Sequence, residues 1–184
     1  MKLKNVSTPF DWWKIKKLYK EAFPANERKP FAMIKKKHAT KEADVWMIMA
    51  DGGFVGFAIT MNVKDRVLLD YFAIYDRKRG QGYGSKALKL LQEFYHDVRF
   101  FLEIERVDVD AENLPDRKRR KAFYLANGMT ELPVKCMVFG VAMELLGYQC
   151  EVSFEEYFEV YDSTYGPWVS KNIIRMEEQT GEKQ

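Results

Sequence analysis

Two cysteines and two histidines among 184 residues leave little material for a disulfide framework or a metal centre. Cys136 and Cys150 make no disulfide scaffold, and both are expected as reduced thiols of a cytoplasmic protein. His38 and His96 stand far from each other and from either cysteine, without metal-ligand spacing, so no metal is expected. No apolar run is long enough to cross a bilayer, and Met1-Lys2-Leu3-Lys4-Asn5 lacks the apolar core of a secretory signal; no membrane partner is expected. A formal net charge of +3 is too small to imply nucleic-acid binding by itself. What the chain does have is 47% hydrophobic residues, enough for a real core. Its length fits one domain, or one domain with an appendage.

The stretch from Leu68 to Leu88 carries the chemistry. Leu68 to Tyr75 reads as a buried strand, and from Ser85 the apolar residues Ala87, Leu88, Leu90, Leu91, Phe94 and Tyr95 recur at helical spacing. Gly80, Gly82 and Gly84 fall between the two, where backbone N–H groups can approach a ligand with no Cβ in the way. The first turn of the helix adds unpaired N–H groups and a partial positive charge, which suits phosphate. Arg77, Lys78 and Arg79 add full charges. A P-loop would need Gly-Lys-Ser/Thr where this chain has Gly84-Ser85-Lys86. A dinucleotide fingerprint would need G-x-G-x-x-G, and neither Gly80 nor Gly82 starts one with a third glycine in place.

Arg79-Gly80-Gln81-Gly82-Tyr83-Gly84 instead fits Arg/Gln-x-x-Gly-x-Gly/Ala, and so resembles the acyl-CoA pyrophosphate loop of the GNAT superfamily of N-acetyltransferases. About forty residues on, Ala122-Phe123-Tyr124-Leu125-Ala126-Asn127-Gly128-Met129 resembles the superfamily's Phe-Tyr-x-x-x-Gly-Phe segment, with Met129 in place of the usual aromatic. Asn113 resembles the asparagine often found near the pantetheine arm.

The remaining elements follow the order of that superfamily. Thr8, Pro9 and Asp11 mark the start of a helix that Phe23-Pro24 stops, and a second helix runs from Pro30 to about Lys37. Lys35-Lys36-Lys37 reads as its solvated end. Strands Val45–Ala50 and Phe54–Val63 meet at Asp51-Gly52-Gly53, a hairpin signal, and Lys64-Asp65-Arg66 turns the chain into the central strand. Phe100 to Val107 is the next strand, parallel to the central one, with Leu102 and Ile104 on one face and Glu103 and Glu105 on the other. Two acids on one face mark either a site or a solvent-exposed edge. Asp116 to Asn127 is helical, and its run Arg117-Lys118-Arg119-Arg120-Lys121 reads as a solvated basic face rather than an RNA contact. Val134 to Tyr148 is strand material, broken near Gly140 or Gly147. Ser153 and Glu156 make a second capping box ahead of the aromatic stripe Phe154, Tyr157, Phe158 and Tyr161. The stripe packs on the parent domain, or forms a lid over the acceptor site or a contact between copies in a homodimer. The tail from Glu177 is expected to fray.

The expected fold is therefore α+β: a mixed, mostly antiparallel central sheet flanked by helices, with an N-acetyltransferase domain over 1–148 and a C-terminal extension over 149–184. The resemblance implies acetyl-CoA as co-substrate, a small-molecule or peptide amine as acceptor, and no nucleic-acid partner. Tyr124 takes the family's general-acid position. Asp70 and Glu103 are carboxylates on strands beside the expected cleft, and either could serve as base. Ala73 and Ile74 should offer main-chain hydrogen bonds to the pantetheine arm, with Asn113 nearby. Arg79 and the N–H groups of Gln81, Gly82, Tyr83, Gly84 and Ser85 should hold the pyrophosphate. Glu27, Arg28 and Glu105 are candidates for acceptor contact. A non-catalytic acyl-CoA-binding module would share every cofactor feature.

Overall fold

The computed structural model describes residues 1–176; the tail expected to fray lies outside the described residues. Strand β1 (Lys2–Asn5) leads into helix α1 (Pro9–Ala22). The helix begins where the sequence says it should: the Thr8 side chain accepts from the Asp11 N–H, and the Asp11 carboxylate accepts from the Thr8 N–H in return. A single 3-10 turn (Ala25–Glu27) connects it to α2 (Phe31–Ala39). Strands β2 (Ala43–Ala50), β3 (Gly53–Val63) and β4 (Arg66–Ile74) then form an antiparallel meander. Its first turn has Asp51 and Gly52 both at positive φ, the geometry that matches strand twist in a tight hairpin. After β4 come α3 (Tyr83–Phe94), β5 (Arg99–Glu105), α4 (Leu114–Ala126), β6 (Thr130–Val138), β7 (Val141–Tyr148), α5 (Phe154–Tyr165), the four-residue α6 (Pro167–Ser170) and β8 (Ile173–Arg175).

Among the described residues all eight strands join one sheet in the order β1-β2-β3-β4-β5-β7-β6-β8. Only β4 and β5 run parallel in it. Helices α1, α2 and α5 cover one face through Ile15, Tyr19, Ile34, Tyr157 and Val160, which share a core with Phe57, Ile59, Leu68 and Phe101. Helices α3 and α4 cover the other through Leu88, Leu91 and Tyr124, against Val67, Leu69, Leu102 and Ile104. The C-terminal segment is bound into this body. Arg66 on β4 donates to the Glu156 carbonyl at 3.0 Å and the Glu159 carboxylate at 2.6 Å, and β8 pairs with β6. No helix among the described residues is long and apolar enough to cross a membrane.

The sheet does not stay closed. Strand β4 pairs with β5 from Arg66↔Arg99 to Leu69↔Leu102 and no further. Beyond that point β4 follows β3 out to Ile74↔Gly56, while β5 follows β7 out to Glu105↔Met143. The two halves of the sheet therefore part at Leu69–Leu102. A bulge sits at the parting point: Thr60 pairs with Leu69 and Ile59 with Tyr71, so Asp70 has no cross-strand partner on β3. One extra residue on a strand throws two successive side chains to the same side. Here Asp70 and Tyr71 both face α1, α2 and α5.

Two strands were not legible in the sequence. Lys2-Leu3-Lys4-Asn5 and Ile173-Ile174-Arg175 are short, and their pairing comes from the open edges of β2 and β6 rather than from local preference. The expected strand ending at Val107 stops at Glu105.

A Cβ built at Gly56 would stand 2.4 Å from the Ala73 carbonyl oxygen, a backbone atom that cannot step aside. Gly56→Ala is expected to destabilise the fold by about 2–3 kcal/mol, measured by urea denaturation. A variant as stable as the parent would show that the β3–β4 ladder relaxes freely beside the split.

Candidate active site

The glycine loop closes one end of the split. After β4 the chain makes a 3-10 turn (Asp76–Lys78), and Gly80 and Gly82 then take φ values of +72° and +76°. L-residues rarely adopt this conformation, and a Cβ at either position would meet nothing within 4 Å. The backbone is therefore open to solvent at both glycines. Gly82 caps α3 without any side-chain bond, and the helix's first hydrogen bond runs from the Lys86 N–H to the Gly82 carbonyl. Among the described residues the N–H groups of Tyr83, Gly84 and Ser85 have no protein acceptor. Gly84 has a different reason to be glycine: a Cβ there would press on the Phe123 ring at 3.3 Å, so it sets how closely α3 and α4 approach. The Tyr83 hydroxyl donates to Asp51, tying the loop to the β2–β3 hairpin.

At the apex of the split lies a cluster of acids, hydroxyls and one lysine. The Asp70 side chain is only 3% exposed, accepts from Lys29 Nζ, and accepts from the Tyr165 hydroxyl at 3.1 Å. Lys29 is itself strapped in place. Its N–H donates to the Tyr71 hydroxyl at 3.1 Å, and its carbonyl accepts from the Tyr19 hydroxyl at 3.1 Å. The Tyr71 hydroxyl donates in turn to the Glu27 carbonyl at 2.9 Å. One strand position away across the split, Glu103 accepts from the Tyr157 hydroxyl and from the Tyr161 hydroxyl at 2.5 Å. Burial raises the Glu103 carboxyl above the usual range; the Lys29 charge and the two hydroxyls oppose this, and Asp70 adds to it. Burial also lifts Tyr157, Tyr161 and Tyr165 far above an ordinary phenol, with the neighbouring carboxylates reinforcing the shift.

A second charged group lines the mouth. Glu105 is paired with Arg117 at 3.0 Å and Arg120 at 2.7 Å, and accepts from the Asn113 amide at 3.2 Å. Glu27, on the α1–α2 connection, feels the same group: partial burial and then the Glu105 charge raise its carboxyl, while Arg120 and Arg117 pull the other way. The α4 basic run is solvated at Lys118, Arg119 and Arg120, as expected, while Arg117 and Lys121 are partly buried. Arg117 and Arg120 hold Glu105, Lys121 holds Glu131 at 2.9 Å and Glu144 at 2.7 Å, and Arg119 pairs with Asp116 at 3.0 Å. Neighbouring strands supply most of the counter-charges, which the helix sequence alone could not reveal.

Residues 12–126 match the family model described as the acetyltransferase (GNAT) family. That is well over half of the chain. The chain belongs to the GNAT acetyltransferase family. Solved structures agree in fold. A Bacteroides thetaiotaomicron protein assigned to this family superposes with a TM-score of 0.75 at 21% identity, over 90% of this chain and 99% of that one. An aminoglycoside 6'-N-acetyltransferase complexed with coenzyme A gives 0.63 at 13%, over 80% and 96%. The Escherichia coli ribosomal-protein-S18-alanine N-acetyltransferase gives 0.57 at 17%, over 84% and 96%. Among curated proteins none matches.

With the GNAT family established, each expected site residue can be placed. Gln81, Gly82, Tyr83, Gly84 and Ser85 form the loop and the first turn of α3. Arg79 lies beside it, and among the described residues its guanidinium makes one ion pair, an exposed one with Asp76 at 3.1 Å, a kind of contact worth little. Ala73 needs correcting. Tyr75 N–H donates to Val55 O, and the two-residue alternation of the ladder turns the Ala73 groups toward β3 as well. The main-chain groups facing the split on this part of β4 are those of Phe72 and Ile74. Asn113 and Glu105 bond to each other and to Arg117. Arg28 forms no ion pair among the described residues. Tyr124 is buried, and burial pushes its hydroxyl up to about 12 against the opposing Arg120 charge, so it keeps its proton at neutral pH. Among the described residues that hydroxyl has no hydrogen-bond partner.

Lys29, Tyr71 and Tyr165 were missed. For the tyrosines a signal existed: Tyr157, Tyr161 and Tyr165 recur every fourth residue, and a buried tyrosine stripe needs acceptors for its hydroxyls.

Because the folded Glu103 carboxyl holds its proton above the reference value of 4.5, the folded state binds more protons than the unfolded one from there upward. Its ionisation therefore costs stability as pH rises through that window. Glu103→Gln escapes this loss, so its melting temperature, apart from a pH-independent offset, should climb relative to the parent as pH rises from about 4.5. Parallel melting-temperature profiles would show that Glu103 ionises freely.

Proposed function

We propose that this chain transfers the acetyl group of acetyl-CoA to a primary amine by direct attack of the amine nitrogen on the thioester. The observation that carries the reading is the order of features along one strand: the buried carboxylate of Asp70 where β4 leaves β5, the rest of β4 with no β5 partner, and then the N–H groups of Tyr83, Gly84 and Ser85 with no protein acceptor. Bound there, acetyl-CoA supplies an activated acetyl group on a thiol leaving group.

The chain's own residues do the rest. The N–H groups at the start of α3 and the Arg79 guanidinium hold the pyrophosphate. The main-chain groups of Phe72 and Ile74 take the amides of the pantetheine arm. Asp70 receives the acceptor's ammonium and a proton from it, with Glu103, raised by burial, as a second carboxyl beside it. Without a partner on β3, the Asp70 N–H is free to stabilise the oxyanion that develops at the carbonyl. Tyr124, protonated throughout, donates to the departing sulfur. Glu27 and Arg28 border the acceptor's approach.

Acetyl-CoA should raise the melting temperature of the parent. Gly82→Trp obstructs the loop and should abolish that rise while keeping a folded circular-dichroism spectrum. An undiminished rise in the variant would move the cofactor elsewhere.

Tyr124→Phe should lower kcat at least about tenfold in a thiol-release assay over an amine panel, with the KM for acetyl-CoA little changed. Unaltered turnover would remove Tyr124 from the mechanism.

A further inference from the structure

Lys29 is placed as an acceptor would be. Its Nζ bonds to Asp70 and lies 4.5 Å from the Tyr165 ring centroid, 4.9 Å from that of Tyr161 and 5.5 Å from that of Tyr71. A carboxylate and three aromatic rings are the usual enclosure for a bound alkylammonium. Its side chain is only 18% exposed. The other charged group near enough to act on it is Glu103. The backbone of Lys29 is fixed on both sides by Tyr19 and Tyr71. A lysine making only a structural ion pair would not need its main chain and its ammonium held separately.

The position along the split matters as much as the enclosure. Asp70 is the first residue of β4 past the last β4–β5 pair, and Ile74 is the last residue of the strand. Four residues of strand span about 13 Å, a distance the pantetheine arm covers. An acetyl thioester carried down that edge arrives beside the nitrogen that Asp70 holds.

We infer that Lys29 is itself an acetyl acceptor, so that the enzyme acetylates its own active-site lysine in cis. This rests on the acetyltransferase reading above. Asp70 takes one proton from the Lys29 ammonium, and the freed amine attacks the thioester carbonyl carbon. The C–N bond forms, the C–S bond breaks, and the second proton leaves nitrogen for the departing sulfur. The products are Nε-acetyl-Lys29, coenzyme A thiol and a protonated Asp70, which returns its proton to solvent. The modification cancels the charge that occupies Asp70 and opens that carboxylate to an external ammonium.

The test is incubation of the full chain with acetyl-CoA and no acceptor, followed by peptide mass mapping, with coenzyme A uptake measured separately by calorimetry. One acetyl group should appear on Lys29 at a rate unchanged by dilution of the protein. The mark should be lost in Gly82→Trp, and Lys29→Arg should take up coenzyme A yet stay unmodified. Uptake with Lys29 unmodified overturns the self-acetylation and leaves the transferase reading intact. No uptake overturns both. Acetylation of Lys29 no faster than that of the exposed Lys20 and Lys36 is chemical background and also overturns it. A second measurement needs no acetyl-CoA: in a brief acetic anhydride pulse Lys29 should label more slowly than Lys20 and Lys36, and lose that protection in Asp70→Asn. Equal labelling in the parent would show that the enclosure does not form and would overturn the inference.

Discussion

The parting of β4 from β5 after Leu69–Leu102 governs everything else in this molecule. Two parallel strands that separate expose main-chain donors and acceptors inside the sheet, where they cannot remain unpaired without cost. Each half is held by its other neighbour, β3 on one side and β7 on the other, so neither collapses onto the gap. The bulge at Asp70 sharpens the parting and turns a carboxylate into the interior. The glycine loop, the acid cluster and the covering helix all take their positions from that geometry.

Helix α5 solves the problem the split creates. Two carboxylates in a largely apolar environment need partners, and the hydroxyls of Tyr157, Tyr161 and Tyr165 reach them from one helical face. Arg66 and Arg99 anchor the same helix at the closed end of the strand pair, Arg99 reaching Glu156 at 2.8 Å. The α1–α2 connection completes the enclosure through Lys29. The cluster is therefore assembled from β4, β5, α5 and the connection after α1. Its one cation, Lys29, pairs with Asp70, and Glu103 is held by two tyrosine hydroxyls, so each buried carboxylate has a partner.

What the sequence could show was local. The Thr8–Asp11 and Ser153–Glu156 boxes and the Asp51-Gly52 turn are each written in a few adjacent residues, and each stands as read. What it could not show depends on which strand lies beside which. Arg117 and Lys121 read as solvated because Glu105, Glu131 and Glu144 are distant in the chain. Ala73 was carried over from the resemblance, and which main-chain groups of β4 turn toward the split depends on its pairing with β3, which adjacent residues do not announce. Lys29 sat in a connection with no pattern of its own. The aromatic stripe of α5 was visible, but its hydroxyls' partners were not.

The most direct measurement is a crystal structure of the chain with coenzyme A bound. The pyrophosphate should rest on the N–H groups of residues 81–85, with the pantetheine arm between β4 and β5 and its amides on Phe72 and Ile74. The thiol should end near Asp70 and Tyr124. Coenzyme A lodged instead in the groove lined by Thr130, Pro133, Gln149 and Glu151, at the closed end of the sheet, would contradict the account.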